Sequence, residues 1–511
     1  MSASKSVSTS KESDELRRLA LSVLQPGFVG TEAPDWVLRA IADGLSSVVL
    51  FSRNISSPQQ VARLTRQLRA ENPSLIIAID EEAGDVTRIE SSTGSTRPGS
   101  FALGAVDDVA LTESVSRDLA RELHAAGVTL DYAPSADVNS NPDNPIIGVR
   151  SFGVEPDRVA RHAAAWIRGL QSGGVAACAK HFPGHGDVAV DSHHGLPRYD
   201  ADLDTIAAQA LPPFRAALEA GVRAVMSAHL LVPAYDEHVP ATLSSRILGG
   251  LLRKELGFDG LIVTDAIEMG AVTGRYGIEG ATVRAVVAGA DAVCVGGENA
   301  EEATVGLLAG ALAGAVRSGE LAEARLAEAS RRVREFADWS TGLAGSVPVD
   351  PVHGDIGFAA ARRAVRVSGE TDGVLPLAAA PHVVELVPTT NLAIGKETPW
   401  GVAVPLRERL PGTTFVRVDQ QQLSDRPEAV DEHALAPATG RPLVVVVRDA
   451  ARNKWMGRAL ADLAAARPDA VVVEMGLPDD SGAGAVRIFT HGATAASGVA
   501  AAEVLIGGHA R

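Results

Sequence analysis

From about residue 15 to residue 340, short apolar runs alternate with stretches of helical period. The runs are VVLFS (48–52), LIIAID (75–80), VTLDYAP (128–134), VAACAKH (175–181), AVMSAHL (224–230), LIVTDAI (261–267) and AVCVGG (292–297), with a weaker candidate, PGFVG (26–30), ahead of them. Between them lie segments such as VARHAAAWIRGLQSGG and LPPFRAALEAG, whose apolar residues recur every three to four positions. Several end in Gly, the residue that closes a helix in a left-handed turn. Strands apolar on both faces and separated by helices predict a parallel sheet covered by helices. Eight such units fit a closed (β/α)8 TIM barrel, whose usual size is about 250 residues or more with insertions.

Asp80, Asp131, Lys180, His181, His229 and Asp265 each lie at or near the end of one of these runs. In a barrel all such ends open on one face, where the active site lies. A single polar residue at a strand end is often structural. Six on successive strands predict a functional face.

The pattern breaks at a Gly- and Pro-rich stretch, STGLAGSVPVDPVHGD. The predicted organisation is a polar, disordered tail over 1–14, a barrel over 15–340, a linker over 341–358 and a smaller domain over 359–511. In that domain HVVELVP, TTFVRVD, PLVVVVRDA and AVVVEMGLP read as strands, and NKWMGRALADLAAARP as an amphipathic helix. The fold class is therefore α/β twice over: a barrel, then a smaller α/β domain with a mostly parallel sheet. Neither part shows an internal repeat.

Composition narrows the function. The chain has 511 residues, 46% of them hydrophobic and 22% charged, with a formal charge of −16, and no clustered basic block. Nucleic acid is an unfavourable partner for such a surface. No apolar run is long enough to span a bilayer, and the first residues lack the apolar stretch of a secretory signal, so the expected location is cytoplasmic, with no membrane partner. Cys178 and Cys294 stand far apart, outside any metal-binding spacing, and read as small buried side chains.

The densest chemistry is in KHFPGHGDVAVDSHHGLP, residues 180–197. Pro183, Gly184 and Gly186 force a loop, in which Lys180, His181, His185, Asp191, His193 and His194 can converge. Asp191-Ser-His193 sets a carboxylate two residues before an imidazole. In a turn the carboxylate fixes one ring nitrogen and leaves the other to move a proton, as general acid–base catalysis requires. Asp265 ends the buried run LIVTD, so its carboxylate is aimed at the barrel mouth, where it can attack an anomeric carbon. AIDEEAGDVTRIE (78–90) brings Asp80 and Arg88, and NPDNPIIGVRSFG brings Arg150. Glu298 follows the last barrel strand with no evident partner.

The runs KHFPGHG, DSH, NPIIGVRSFG and PATLSSRILGGLLRKELGFDGLIVTDAIEM (240–269) resemble glycoside hydrolase family 3, in its N-acetyl-β-glucosaminidase branch, across the whole barrel. The resemblance implies a retaining, exo-acting N-acetyl-β-glucosaminidase that uses no metal and no organic cofactor. It implies Asp265 as nucleophile, His193 as acid/base and Asp191 as its dyad partner. Asp80, Arg88, Arg150, Lys180 and His181 match residues that hold the sugar hydroxyls and N-acetyl group, and His229 a histidine near the site. The chain departs from the family's Asp-Gln-Glu-Gly-Gly-Arg, having Asp80-Glu81-Glu82-Ala83-Gly84-Asp85. The expected substrates are small muropeptide or chitin-derived fragments.

Three other readings fit parts of the same pattern. A neutral His193 does not repel an anion, so inorganic phosphate can compete with water and make the enzyme a phosphorylase. A β-glucosidase or β-xylosidase is the second, against which the DSH run argues. A metal-dependent barrel hydrolase, using His181, His185, His193, His194, His229 and Asp265, is the third; it predicts a His-x-His on the first strand, and PGFVG has no histidine. For His185 and His194 the plainer expectation is a loop histidine satisfied by backbone groups. The sequence leaves the oligomeric state and the C-terminal domain's role open.

Overall fold

A computed structural model describes residues 13–190, 195–297, 299–348, 355–388, 394–395, 398–425, 430–479 and 482–508. The chain forms two compact units: one of residues 1–81, 112–147 and 154–352, the other of 82–111, 148–153 and 353–511.

The first unit is the predicted barrel. Its strands are β1 (Leu24–Pro26), β2 (Ser47–Leu50), β3 (Ile76–Ile79), β4 (Leu130–Asp131), β5 (Ala176–Phe182), β6 (Ala224–Ser227), β7 (Leu261–Thr264) and β8 (Val293–Val295). β2 to β7 pair in parallel in chain order, and β1 pairs in parallel with β8. A parallel bridge from Val263 to Ala292 carries the sheet from β7 towards β8, and Ser47 Oγ donates to the Leu24 carbonyl between β1 and β2. The ring of eight is thereby joined.

Alternate strand residues point inward, as the pleat requires. Val49, Ile76, Ala78, Leu130, Ala176, Cys178, Ala224, Met226, Leu261 and Val263 join one buried cluster, completed by Val333 and Phe336. The latter two belong to the helix Glu323–Ser346, which continues through the Gly-containing start of the segment read as a linker. The covering helices follow their sequence signals. In Pro156–Ser172, Pro opens the first turn, Asp157 faces the N-terminal dipole, and Val159, Ala163, Trp166, Ile167 and Leu170 are buried. Each large apolar side chain so buried contributes about 1.5–3 kcal/mol.

The second unit holds a six-stranded sheet in the order β11-β10-β12-β13-β14-β9. Four strands match the expected runs: β10 (His382–Val387), β11 (Thr414–Asp419), β12 (Leu443–Val447) and β13 (Val471–Glu474). Two lie outside those runs, β9 (Arg366–Gly369) and β14 (Val486–Phe489); β9 is the sheet's antiparallel edge. β12 shows why its sequence is uniformly apolar. Val444 and Val446 pack with Ala496 and Ala500 of the helix Ala495–Leu505, while Leu443, Val445 and Val447 pack with Met456, Leu460 and Leu463 of the helix Lys454–Ala466. Both faces are covered, so neither can be polar. Segments 82–111 and 148–153, which interrupt the barrel sequence, pack as part of this unit. No helix among the described residues is long and apolar enough to cross a membrane.

Candidate active site

The inward row of three barrel strands runs straight into polar residues. On β3 it is Ile76, Ala78, then Asp80; on β5 Ala176, Cys178, then Lys180; on β7 Leu261, Val263, then Asp265. The period of two that buries the apolar residues sends these three side chains to the carboxyl end of the barrel interior. Lys180 Nζ donates to Asp80 Oδ1 in an ion pair between β5 and the end of β3. Lys180 is almost wholly buried, so this pairing offsets the cost of desolvating its charge. The backbone N–H of Asp265 donates to the Ser227 carbonyl at 3.1 Å, and its Oδ1 accepts from Ala266 N at 2.8 Å. Its carboxylate is thus held at the strand end.

Beneath the histidine loop lies a carboxylate that the sequence reading did not single out. Asp137 is fully buried and accepts from His181 Nδ1 at 2.7 Å, Ser135 Oγ at 3.0 Å, and the backbone N–H groups of His181 and His185 at 3.1 and 2.7 Å. Burial alone pushes its carboxyl up, but His181, His185 and these donors outweigh it and hold it below the usual value. The anion facing Nδ1 fixes the proton there and makes Nε2 of His181 the acceptor. Asp137 closes no apolar run, so the strand-end criterion passes over it; its signal is only an acid two residues after Ser135 in a loop.

The loop glycines have identifiable reasons. Gly184 has φ +128°, outside the range of other residues. A Cβ on Gly186 would lie 1.6 Å from the Val138 carbonyl oxygen, so only glycine allows this approach. His185, between them, is buried, and its ring nitrogens meet no hydrogen-bonding group among the described residues, unlike the backbone-satisfied ring expected. Burial, aided by His181, lowers its pKa to about 4, and the ring is neutral.

His229 is spent inside the protein. Its Nε2 faces the Ala266 carbonyl at 3.0 Å and its Nδ1 the Thr242 hydroxyl at 2.9 Å. Burial lowers its pKa, and the Ala266 carbonyl fixes the proton of the neutral ring on Nε2. Neither nitrogen remains for a sugar hydroxyl; the ring holds the residue next to Asp265. Asp131 ends β4 and accepts from Glu81 N at 2.9 Å, and burial pushes its carboxyl well up.

Arg88 and Arg150 lie in the second unit. Arg150 forks onto Glu82, with Nε at 2.9 Å from Oε2 and Nη2 at 2.6 Å from Oε1, a bidentate and nearly buried pair. Arg88 lies six residues after Glu82 and is 8% exposed. Asp191, His193, His194 and Glu298 lie outside the described residues. Among the described residues no group of three His, Cys, Asp or Glu is arranged to hold a metal ion.

A barrel of eight parallel strands with inward carboxylates at its mouth, followed by an α/β unit, is the frame of a glycoside hydrolase. The chain belongs to glycosyl hydrolase family 3: residues 31–336 match the family's N-terminal domain. It is 33% identical over 374 residues to β-hexosaminidase A of Pseudoalteromonas piscicida, an alignment covering 67% of this chain and 62% of that relative. A β-hexosaminidase of Neisseria meningitidis serogroup C is 39% identical over 266 residues, half of this chain and 73% of that one. Among solved structures, a family 3 β-N-acetylglucosaminidase of a Paenibacillus species superposes with a TM-score of 0.84 at 31% identity, covering 96% of both chains.

Proposed function

We propose that this enzyme is a retaining exo-β-N-acetylglucosaminidase acting on terminal β-linked N-acetylglucosamine of small oligosaccharides. The observation that carries the reading is the continuation of β7's inward row into Asp265, in a chain whose relatives are β-hexosaminidases. Those relatives do not favour the glucosidase, phosphorylase and metal-dependent readings. Asp265 attacks the anomeric carbon while His193, oriented by Asp191, protonates the leaving oxygen; His193 then takes the proton of the incoming water. By the family resemblance, Asp80, Arg88, Arg150, Lys180 and His181 are assigned to the sugar hydroxyls and N-acetyl group.

The test is turnover of an aryl N-acetyl-β-glucosaminide, with the first-formed sugar read by NMR, in phosphate-free buffer and with added phosphate. Release of the β-anomer of free N-acetylglucosamine, at a rate indifferent to phosphate, supports the reading. Cleavage of an aryl glucoside or xyloside alone overturns the substrate, and a sugar 1-phosphate overturns the acceptor. Muropeptide and chitin-derived disaccharides, supplied side by side, separate the two natural substrate classes.

A further inference from the structure

In an open α/β sheet, ligands bind beyond the carboxyl ends of the strands, where the strand order reverses. In the second unit that reversal lies between β10 and β12, since the chain leaves β10 for β11 on one side and returns to β12 on the other. The loop after β12, residues 448–453, stands at this point. The chain fills it with its own side chain. Arg448 donates from Nη2 to Asp85 Oδ2, and Ala493 N, beyond β14, donates to Asp85 Oδ1 at 2.8 Å. Both partners are buried, and the Trp400 ring lies 5.9 Å from the Arg448 guanidinium. The same loop meets the other excursion: a Cβ on Gly148 would lie 3.3 Å from both terminal nitrogens of Arg452. Asp85 is three residues before Arg88, and Gly148 two before Arg150. Glu82, forked onto Arg150, ties the two excursions together.

We propose that the loop 448–453 is a positioning element: Arg448 on Asp85 and Arg452 on Gly148 hold the segments that carry Arg88 and Arg150, and so set how those two arginines hold a sugar. The inference rests on the assignment of those arginines to substrate. Asp85 stands where the family's pattern has Arg, and this chain answers that acid with Arg448.

The experiment uses the full chain. Arg448→Met leaves the buried Asp85 carboxylate unpaired, and the pair Asp85→Asn/Arg448→Met removes both charges and guards against misfolding. With active sites titrated, the expected result in both is a KM raised tenfold or more with kcat within about threefold. Amides of 82–99 and 148–153 exchange faster in both. Arg448→Lys, which keeps the charge and loses the planar guanidinium, restores part of the KM. A double variant with wild-type KM and wild-type exchange overturns the proposal. So does a loss confined to the folded fraction with KM unchanged, the mark of a merely structural pair. Wild type is first run on aryl N-acetylglucosaminide and aryl glucoside. Cleavage of the glucoside alone overturns the substrate reading, and the KM split on the glycoside that is cleaved still decides the positioning role.

Discussion

Asp137→Asn probes the buried end of the site without opening a cavity, because the side chain keeps its volume. Four donors converge on the native carboxylate, two of them backbone N–H groups that cannot turn away. Asparagine offers one oxygen, and those two N–H groups claim it. Its amide nitrogen then faces His181 Nδ1, and the ring escapes a donor–donor clash only by moving its proton to Nε2. On the proposed assignment, the nitrogen that accepts from a sugar hydroxyl thereby becomes a donor. A charge-assisted bond of about 1.5–3 kcal/mol is exchanged for a neutral one of about 0.5–1.5 kcal/mol. The net loss of about 1–2 kcal/mol corresponds to a fall of roughly 5- to 30-fold in kcat/KM, with a destabilisation of the same order. Because the folded carboxyl is held below its usual value, its stabilising contribution is present above the unfolded pKa and lost only as pH falls through the folded one. The difference between wild type and variant is therefore flat between about pH 6 and 8. Aryl-glycoside kinetics and urea unfolding at both ends of that range measure it. Wild-type kcat/KM together with wild-type stability at both would refute the orienting role of Asp137.

Asp265→Asn is expected to lower kcat on the order of 10³-fold or more while leaving the fold intact, checked by kinetics beside circular dichroism. Gly186→Ala drives a Cβ to 1.6 Å from a backbone carbonyl, so it is expected to cost about 2 kcal/mol or more in urea unfolding and to raise KM; near-native stability would contradict the packing described. His185 and His491 both titrate at about 4 in the folded protein against 6.5 unfolded, chiefly because of burial. The unfolded chain binds more protons between those values, so stability is full above about pH 6.5 and falls as the pH drops towards 4. The loss between pH 7 and 5 is about 2 kcal/mol per histidine, and His185→Phe is expected to remove its share from the barrel's unfolding transition.

Much of the barrel is legible because its strands are buried on both faces and its helices on one, so the two periods do not mix. The first strand is the exception. PGFVG draws the eye for its apolar character, yet the strand is Leu24–Pro26, with Gln25 buried and accepting from the Tyr132 hydroxyl at 2.5 Å. β9 escapes notice because its residues are mostly exposed and only its pairing with β14 makes it a strand. β14 carries Arg487 amid its apolar residues, a charge that reads as surface and is instead buried against Asp479.

The same division runs through the site. Asp80, Lys180 and Asp265 are readable because each extends an inward row by one step of the pleat, which is a local property of the chain. Asp137, Glu82 and Arg448 are not, because each is defined by a partner distant in sequence: Asp137 by His181, Glu82 by Arg150, and Arg448 by Asp85, 363 positions away. A buried acid stays ionised only when it is paired or hydrogen-bonded, and that pairing is a fact of tertiary structure. Asp85 illustrates the consequence. In the sequence it reads only as a departure from the family's Asp-Gln-Glu-Gly-Gly-Arg, an extra acid in place of Arg. In the fold it is the acid that receives Arg448, so the departure and the second unit belong to one arrangement. Its effect should appear in KM rather than in the chemistry at Asp265.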